Sequence, residues 1–257
     1  MSDQPAFRRA LRIAAGVIVV VVMAATVRDL ARDSDPTVEG RSPDLATPSP
    51  TAPSQSRDPS APLLIDLIVS DADVGPSLTV AGMQGGNGLS QPTLDLCNGT
   101  YPSEERRTAR LQVRAVDNQG ITALSTEAVL YNSGADTANA FAELRRTAEN
   151  CPSGPVDSPV GLPTVTTRFR PAPDAGWPQV PQVERLAFAF DSIDNSGEST
   201  HSVAVYLRRG RALLGVYFSH ADAPTAVVEG KTALGDIVNI FAARLAKLPL
   251  AAISTTA

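Results

Sequence analysis

Cys97 and Cys151 are the only thiols in the 257-residue chain. Two thiols in an oxidising compartment pair by default, which predicts a structural disulfide. It would tie the loop before the first predicted strand to the end of the helix that follows the first strand pair. A redox or metal pair is the alternative, but the spacing is unlike Cys-x-x-Cys and only His201 and His220 could join as ligands. Those histidines fall near the ends of predicted hairpin strands. Metal sites want three or four ligands, so the pair reads as solvated polar residues. Asp191, Asp194 and Glu198 gather around a turn, yet their spacing misses the calcium-loop pattern. Gly82 to Gly88 (GMQGGNG) departs from the phosphate-binding glycine spacings and reads as a flexible surface loop. The nucleophile-elbow and zinc-protease motifs, G-x-S-x-G and H-E-x-x-H, do not occur.

Binding is the chemistry that remains. Arg107, Arg110, Arg114, Glu127 and Tyr131 are expected on the polar face of one hairpin, where cross-strand pairing in solvent is the competing reading. Trp177, the single tryptophan, sits between Gly176 and Pro178 and either lines a groove or plugs an edge of the core. Arg114, Glu127, Tyr131 and Trp177 are therefore the candidate ligand-binding residues. No cofactor, metal or catalytic residue is predicted. Asn98-Gly99-Thr100 matches an N-glycosylation acceptor.

The elements that would position these residues follow from periodicity. Leu63–Val69 starts the domain, and turn formers run on to Ser90. Leu111, Val113 and Ala115 alternate with Gln112 and Arg114 within a strand from Arg106 to Asp117. Asn118-Gln119-Gly120 turns the chain into a second strand, Thr122 to Tyr131. The period then lengthens: Ala138, Phe141, Leu144 and Ala148 stripe a helix over 133–150, with Ser133 as its cap. Strands are predicted at Thr164–Phe169, Arg185–Asp191, Ser202–Arg208 and Arg211–Ser219, the last two joined at Arg209-Gly210. A closing helix is expected from Pro224, with Leu234, Ile237, Phe241, Leu245 and Leu248 on one face. Hairpins dominate, so the fold class is α+β: a mainly antiparallel sheet with packed helices and one disulfide.

Upstream lies a different kind of chain. Arg8, Arg9 and Arg12 precede an apolar run, residues 13–27, and hold that flank in the cytoplasm. The run is short for a spanning helix and long for a signal core, so a membrane anchor and a cleavable signal peptide both stand. The division is 1–32 for tail and anchor or signal peptide, 33–62 for a Pro/Ser/Thr-rich linker, 63–250 for the domain, and 251–257 for a tail. The linker has almost nothing apolar to bury and reads as an extended stalk. Outside residues 1–32 the balance is 17 basic against 25 acidic groups. Such a surface repels phosphate backbones, so nucleic acid is not an expected partner.

Three stretches carry a family resemblance: TLDLCNGTYPSEERRTARLQV (Thr93 to Val113), STEAVLY (Ser125 to Tyr131) and AFAELRRTAENCP (Ala140 to Pro152). Over about residues 63–248 the chain resembles actinobacterial sensor domain-containing proteins, similar to the PknH-like extracellular domains of receptor kinases. The resemblance implies an antiparallel sheet with flanking helices, a surface cleft and an unknown extracellular ligand. Two departures stand out: the kinase-linked domains hold two disulfides, and this chain has no kinase. The expected function is non-enzymatic ligand binding or sensing outside the cytoplasm, at the cell membrane or secreted if the N-terminus is cleaved. An envelope structural or assembly protein that docks a protein partner is the second reading.

Overall fold

The computed structural model describes residues 58–158, 161–222 and 224–254. The apolar run 13–27 and most of the linker lie outside them. Among the described residues no helix is long and apolar enough to cross a membrane.

Eight strands form one antiparallel sheet: β1 (Leu78–Gly82), β2 (Arg107–Asp117), β3 (Thr122–Tyr131), β4 (Val156–Ser158), β5 (Gly161–Arg170), β6 (Glu184–Asp194), β7 (Ser199–Arg209) and β8 (Ala212–Phe218). Their spatial order is β1-β2-β3-β8-β7-β6-β5-β4. Helices α1 (Gly134–Glu149), α2 (Leu234–Lys247) and α3 (Leu250–Ile253) complete the fold. The α+β class and the antiparallel pairing are those expected from sequence.

Alternation assigns the two faces. Ala109, Ala115, Leu124, Ala128, Leu130, Val205, Leu207, Leu214 and Val216 face α2, which contributes Ile237, Val238, Phe241 and Leu245. Val129, Tyr131, Ala204, Tyr206 and Leu213 face the other way, toward α1 with its Ala140, Phe141 and Leu144. Every residue of β3 is buried, because it is central and covered on both faces. The polar hairpin face, for which the sequence leaves ligand binding and solvent-side pairing both open, is therefore an interior.

Ser133 caps α1 as expected: its hydroxyl accepts from the Asp136 amide at 3.2 Å. The closing helix starts later than expected, at Leu234 rather than Pro224. Val228 bridges both Val74 and Lys231, and Glu229 and Gly230 take positive φ values of 47° and 74°. A helix cannot run through that turn. The stretch read as loop before Ser90 contains β1, which pairs with β2 from Leu78↔Asp117 to Gly82↔Val113.

Both ends of the domain reach beyond their expected limits. Asp58, inside the segment assigned to the linker, forms an ion pair with Arg211 at 2.5 Å. At the other end, part of the assigned tail is α3, where Ala252 and Ile253 are buried. Arg211 is fully buried and also donates to the Ala252 carbonyl at 2.8 Å and the Tyr131 carbonyl at 3.1 Å.

Candidate functional site

A cleft of about 100 Å³ opens on the α1 side of the sheet. Its floor is built by register. Gln112 pairs with Glu127, Glu127 with Gly215, and Gly215 with Tyr206, so these four residues form one row across the sheet. Ser202 and Phe190 are cross-strand partners in a parallel row. Met83, Gln84 and the segment from Gln91 to Cys97 form the opposite wall.

Gly215 makes room in the floor. A Cβ there would fall 2.2 Å from the Tyr217 hydroxyl. The Tyr217 ring lies back over the glycine, and its hydroxyl reaches Glu127 Oε2 at 3.4 Å. Tyr206 stands edge-on to Tyr217, with ring centroids 5.7 Å apart. Glu127 is held from its other side by an ion pair with Arg110 Nε and by the Thr93 hydroxyl, which donates at 2.8 Å. Arg110 spends its remaining nitrogens on the Gly85 carbonyl at 3.0 Å and on Gln112 Oε1 at 2.5 Å.

The wall loops are tied down in the same way. Arg107 donates to the carbonyls of Leu89 and Gln91 and pairs with Glu104 at 3.0 Å. Glu104 in turn accepts from the amides of Thr93 at 2.8 Å and Leu94 at 3.2 Å. The glycine-rich segment read as a flexible surface loop packs on β2: Gly86 accepts from the Gln112 amide at 2.9 Å. A Cβ on Gly86 would fall 2.7 Å from the Gln112 carbonyl. The expected disulfide is formed, with Cα atoms 5.6 Å apart. Cys97 lines the cleft and Cys151 follows α1, so the bond staples the wall to the helix.

Three carboxyls and two guanidiniums meet here. Burial first, and then the charges of Glu127 and Glu104, push the Asp95 carboxyl up to about 8. Glu104 is raised to about 7, again chiefly by burial, against the pull of Arg107. Desolvation disfavours the charged form of an acid, and neighbouring negative charge adds to it. A carboxyl that is neutral near pH 7 can donate a hydrogen bond as well as accept one.

The four candidate ligand-binding residues do not come together. Glu127 lines the cleft. Arg114 lies on the same sheet face one row away, with its Nε buried and lacking a partner. Tyr131 is fully buried in the core beneath α1. Trp177 is on the α2 side, half-buried against the core, within 2.8 Å of a Cβ on Gly235 and under the Arg185 guanidinium. His201 also faces away from the cleft and contacts Asp191 at 3.1 Å. Sequence reasoning missed Asp95, Ser202, Tyr206 and Tyr217. One signal was available: Asp95 interrupts an apolar run, Leu94 to Cys97.

No family model and no curated protein matches the chain. Among solved structures it is similar to the extracellular domain of PknH from Mycobacterium tuberculosis, at 9% identity over 74% of this chain and 96% of that one, with a TM-score of 0.41. It is also similar to the Rv0999 ortholog of Mycobacterium smegmatis, at 12% identity over 79% of this chain and 99% of that one, with a TM-score of 0.35.

Proposed function

We propose that the chain presents a non-enzymatic binding domain outside the cytoplasm, tethered through residues 13–27, and that the cleft over Glu127 receives a small ligand. The cleft itself carries the reading. It is concave, walled by aromatic rings and contains a few convergent polar groups, the usual make-up of a small-molecule site. The formed disulfide fits an oxidising compartment. The pairing of Arg110 with Glu127, and of Arg107 with Glu104, supports a rigid, preformed site. The one unpartnered hydroxyl on the floor, Ser202, has no imidazole beside it, which favours binding over acyl transfer.

Docking of an envelope protein is less well supported. Ile65 and Leu250 are the only large apolar side chains strongly exposed among the described residues, too few for a broad apolar face.

The test is crystallography of the purified chain, untreated and after soaking with a library of small polar and aromatic fragments. Density concentrated between Tyr206 and Asp95 is the expected result. Fragments scattered over the surface with the cleft empty would overturn the reading.

A further inference from the structure

The polar groups of the cleft do not balance, and the imbalance has a sign. Arg107 and Arg110 each hold one carboxylate, Glu104 and Glu127. Asp95 is the third carboxyl and has no guanidinium of its own. Among the described residues no other side chain donates a hydrogen bond to its carboxyl. Glu127 Oε1 is taken twice, but Oε2 receives only the long contact from Tyr217. Ser202 is 6% exposed, lines the cleft, and its hydroxyl meets no partner. Buried polar groups are normally satisfied, so an orphan hydroxyl in a cavity wall marks a place where something else binds.

Asp95 and Glu127 Oε2 leave acceptor lone pairs unused, whereas each nitrogen of Arg110 already holds a partner. An anion entering here would face the Glu127 carboxylate, whereas a cation would favour the ionised form of Asp95. Phe190, Tyr206 and Tyr217 add apolar and π surface suited to a positive group on a carbon body. Among the described residues no acidic cluster has the arrangement of a metal site, which favours an organic cation over a metal ion.

Building on the binding reading above, we propose that the cleft takes a small organic ammonium ion, with its N–H groups directed to Asp95 and Glu127 and its apolar body against Phe190, Tyr206 and Tyr217. Ser202 supplies one further hydrogen bond. Binding ionises Asp95, so it releases a proton and strengthens as pH rises. The titratable groups that face Asp95 are Glu104, Glu127, Arg110, Tyr101, Tyr206 and Tyr217. Among these Glu104 also titrates near neutrality.

The experiment is calorimetric titration of the full chain with three isosteric probes: 2-phenylethylammonium, 2-phenylethanol and phenylacetate. Runs at about pH 6 and about pH 8.5, in buffers of different ionisation heat, keep the amine charged and span the Asp95 titration. The ammonium should bind at least about tenfold more tightly than the alcohol, as a charge-assisted hydrogen bond requires. It should bind more tightly at the higher pH, with protons released to buffer. Asp95→Asn should cost the ammonium about tenfold or more and sharply reduce proton release at the higher pH, where Glu104 is already ionised, while alcohol binding changes less than about threefold. Ser202→Ala, a milder change, should weaken the ammonium several-fold. Equal or tighter binding of the alcohol or the anion would overturn the proposal and leave a ligand cleft of another class. Binding by none of the three would overturn it too, and the fragment-soaking result alone would then decide the binding reading.

Discussion

Asp58 and Asp95 are both desolvated carboxyls, and they shift in opposite directions because of what they face. The hydrogen bond from Arg211 comes first for Asp58 and holds it down at about 2. Asp95 meets burial and two like charges and rises to about 8. The consequences for stability have opposite signs. A depressed acid stabilises the fold above its unfolded pKa, near 4, and loses that contribution as pH falls toward 2; for Asp58 this amounts to about 2 kcal/mol. A raised acid keeps its proton when folded and sheds it when unfolded, so stability falls as pH rises from about 4 to about 8. Asp95→Asn should therefore flatten the loss of Tm between about pH 4 and about pH 8, with Glu104 accounting for the slope that remains up to about pH 7. An unchanged slope in a pH series of thermal melts would count against the burial assigned to Asp95. Asp58→Ala leaves Arg211 charged and unpaired in the core and should cost about 3–5 kcal/mol in urea unfolding. Gly215→Ala forces the Tyr217 ring off the cleft floor and should cost about 1–3 kcal/mol, with near-ultraviolet circular dichroism reporting the displaced tyrosine.

At the scale of elements, the disulfide joins a wall loop to α1 across 54 residues. The loop-entropy argument gives roughly 4 kcal/mol for closing such a loop. A Cys97→Ala/Cys151→Ala double variant should lose about that much in urea unfolding, and amide exchange should quicken from Leu89 to Leu96 before it does in β3. The paired strands and α1 were legible in sequence because alternation and helical spacing are local properties. The late start of α2 was not, since it depends on Val228 bridging to Val74, far back in the chain. β1 escaped for a similar reason: five residues among turn formers become a strand only because β2 offers them an edge. The candidate site was less legible than the fold. The sequence places Arg107, Arg110 and Glu127 on one hairpin face but leaves open whether that face binds a ligand or is solvated. Nothing within β2 or β3 reveals that the loops from Met83 to Cys97 lie over it. Tyr206 and Tyr217 come from the far half of the chain and meet Glu127 only through the β3–β8 pairing.

For the molecule as a whole, β3 and β8 join two halves that are distant in sequence, and Arg211 gathers their ends. The guanidinium that receives Asp58 at the start of the domain also holds the Ala252 carbonyl near its finish. Both termini of the folded unit therefore lie within the span of a single side chain. The unit is a closed circuit in which the position of the break is incidental. Circular permutation makes that concrete: a short glycine-serine bridge from residue 254 back to residue 58, with new ends opened in the exposed turn at Gln119-Gly120, should yield a protein with the same sheet order and the same cleft. Matching amide NMR spectra away from the new junctions would show it, and a collapsed spectrum would mean that the entry of the chain at Asp58 directs folding as well as closing the domain.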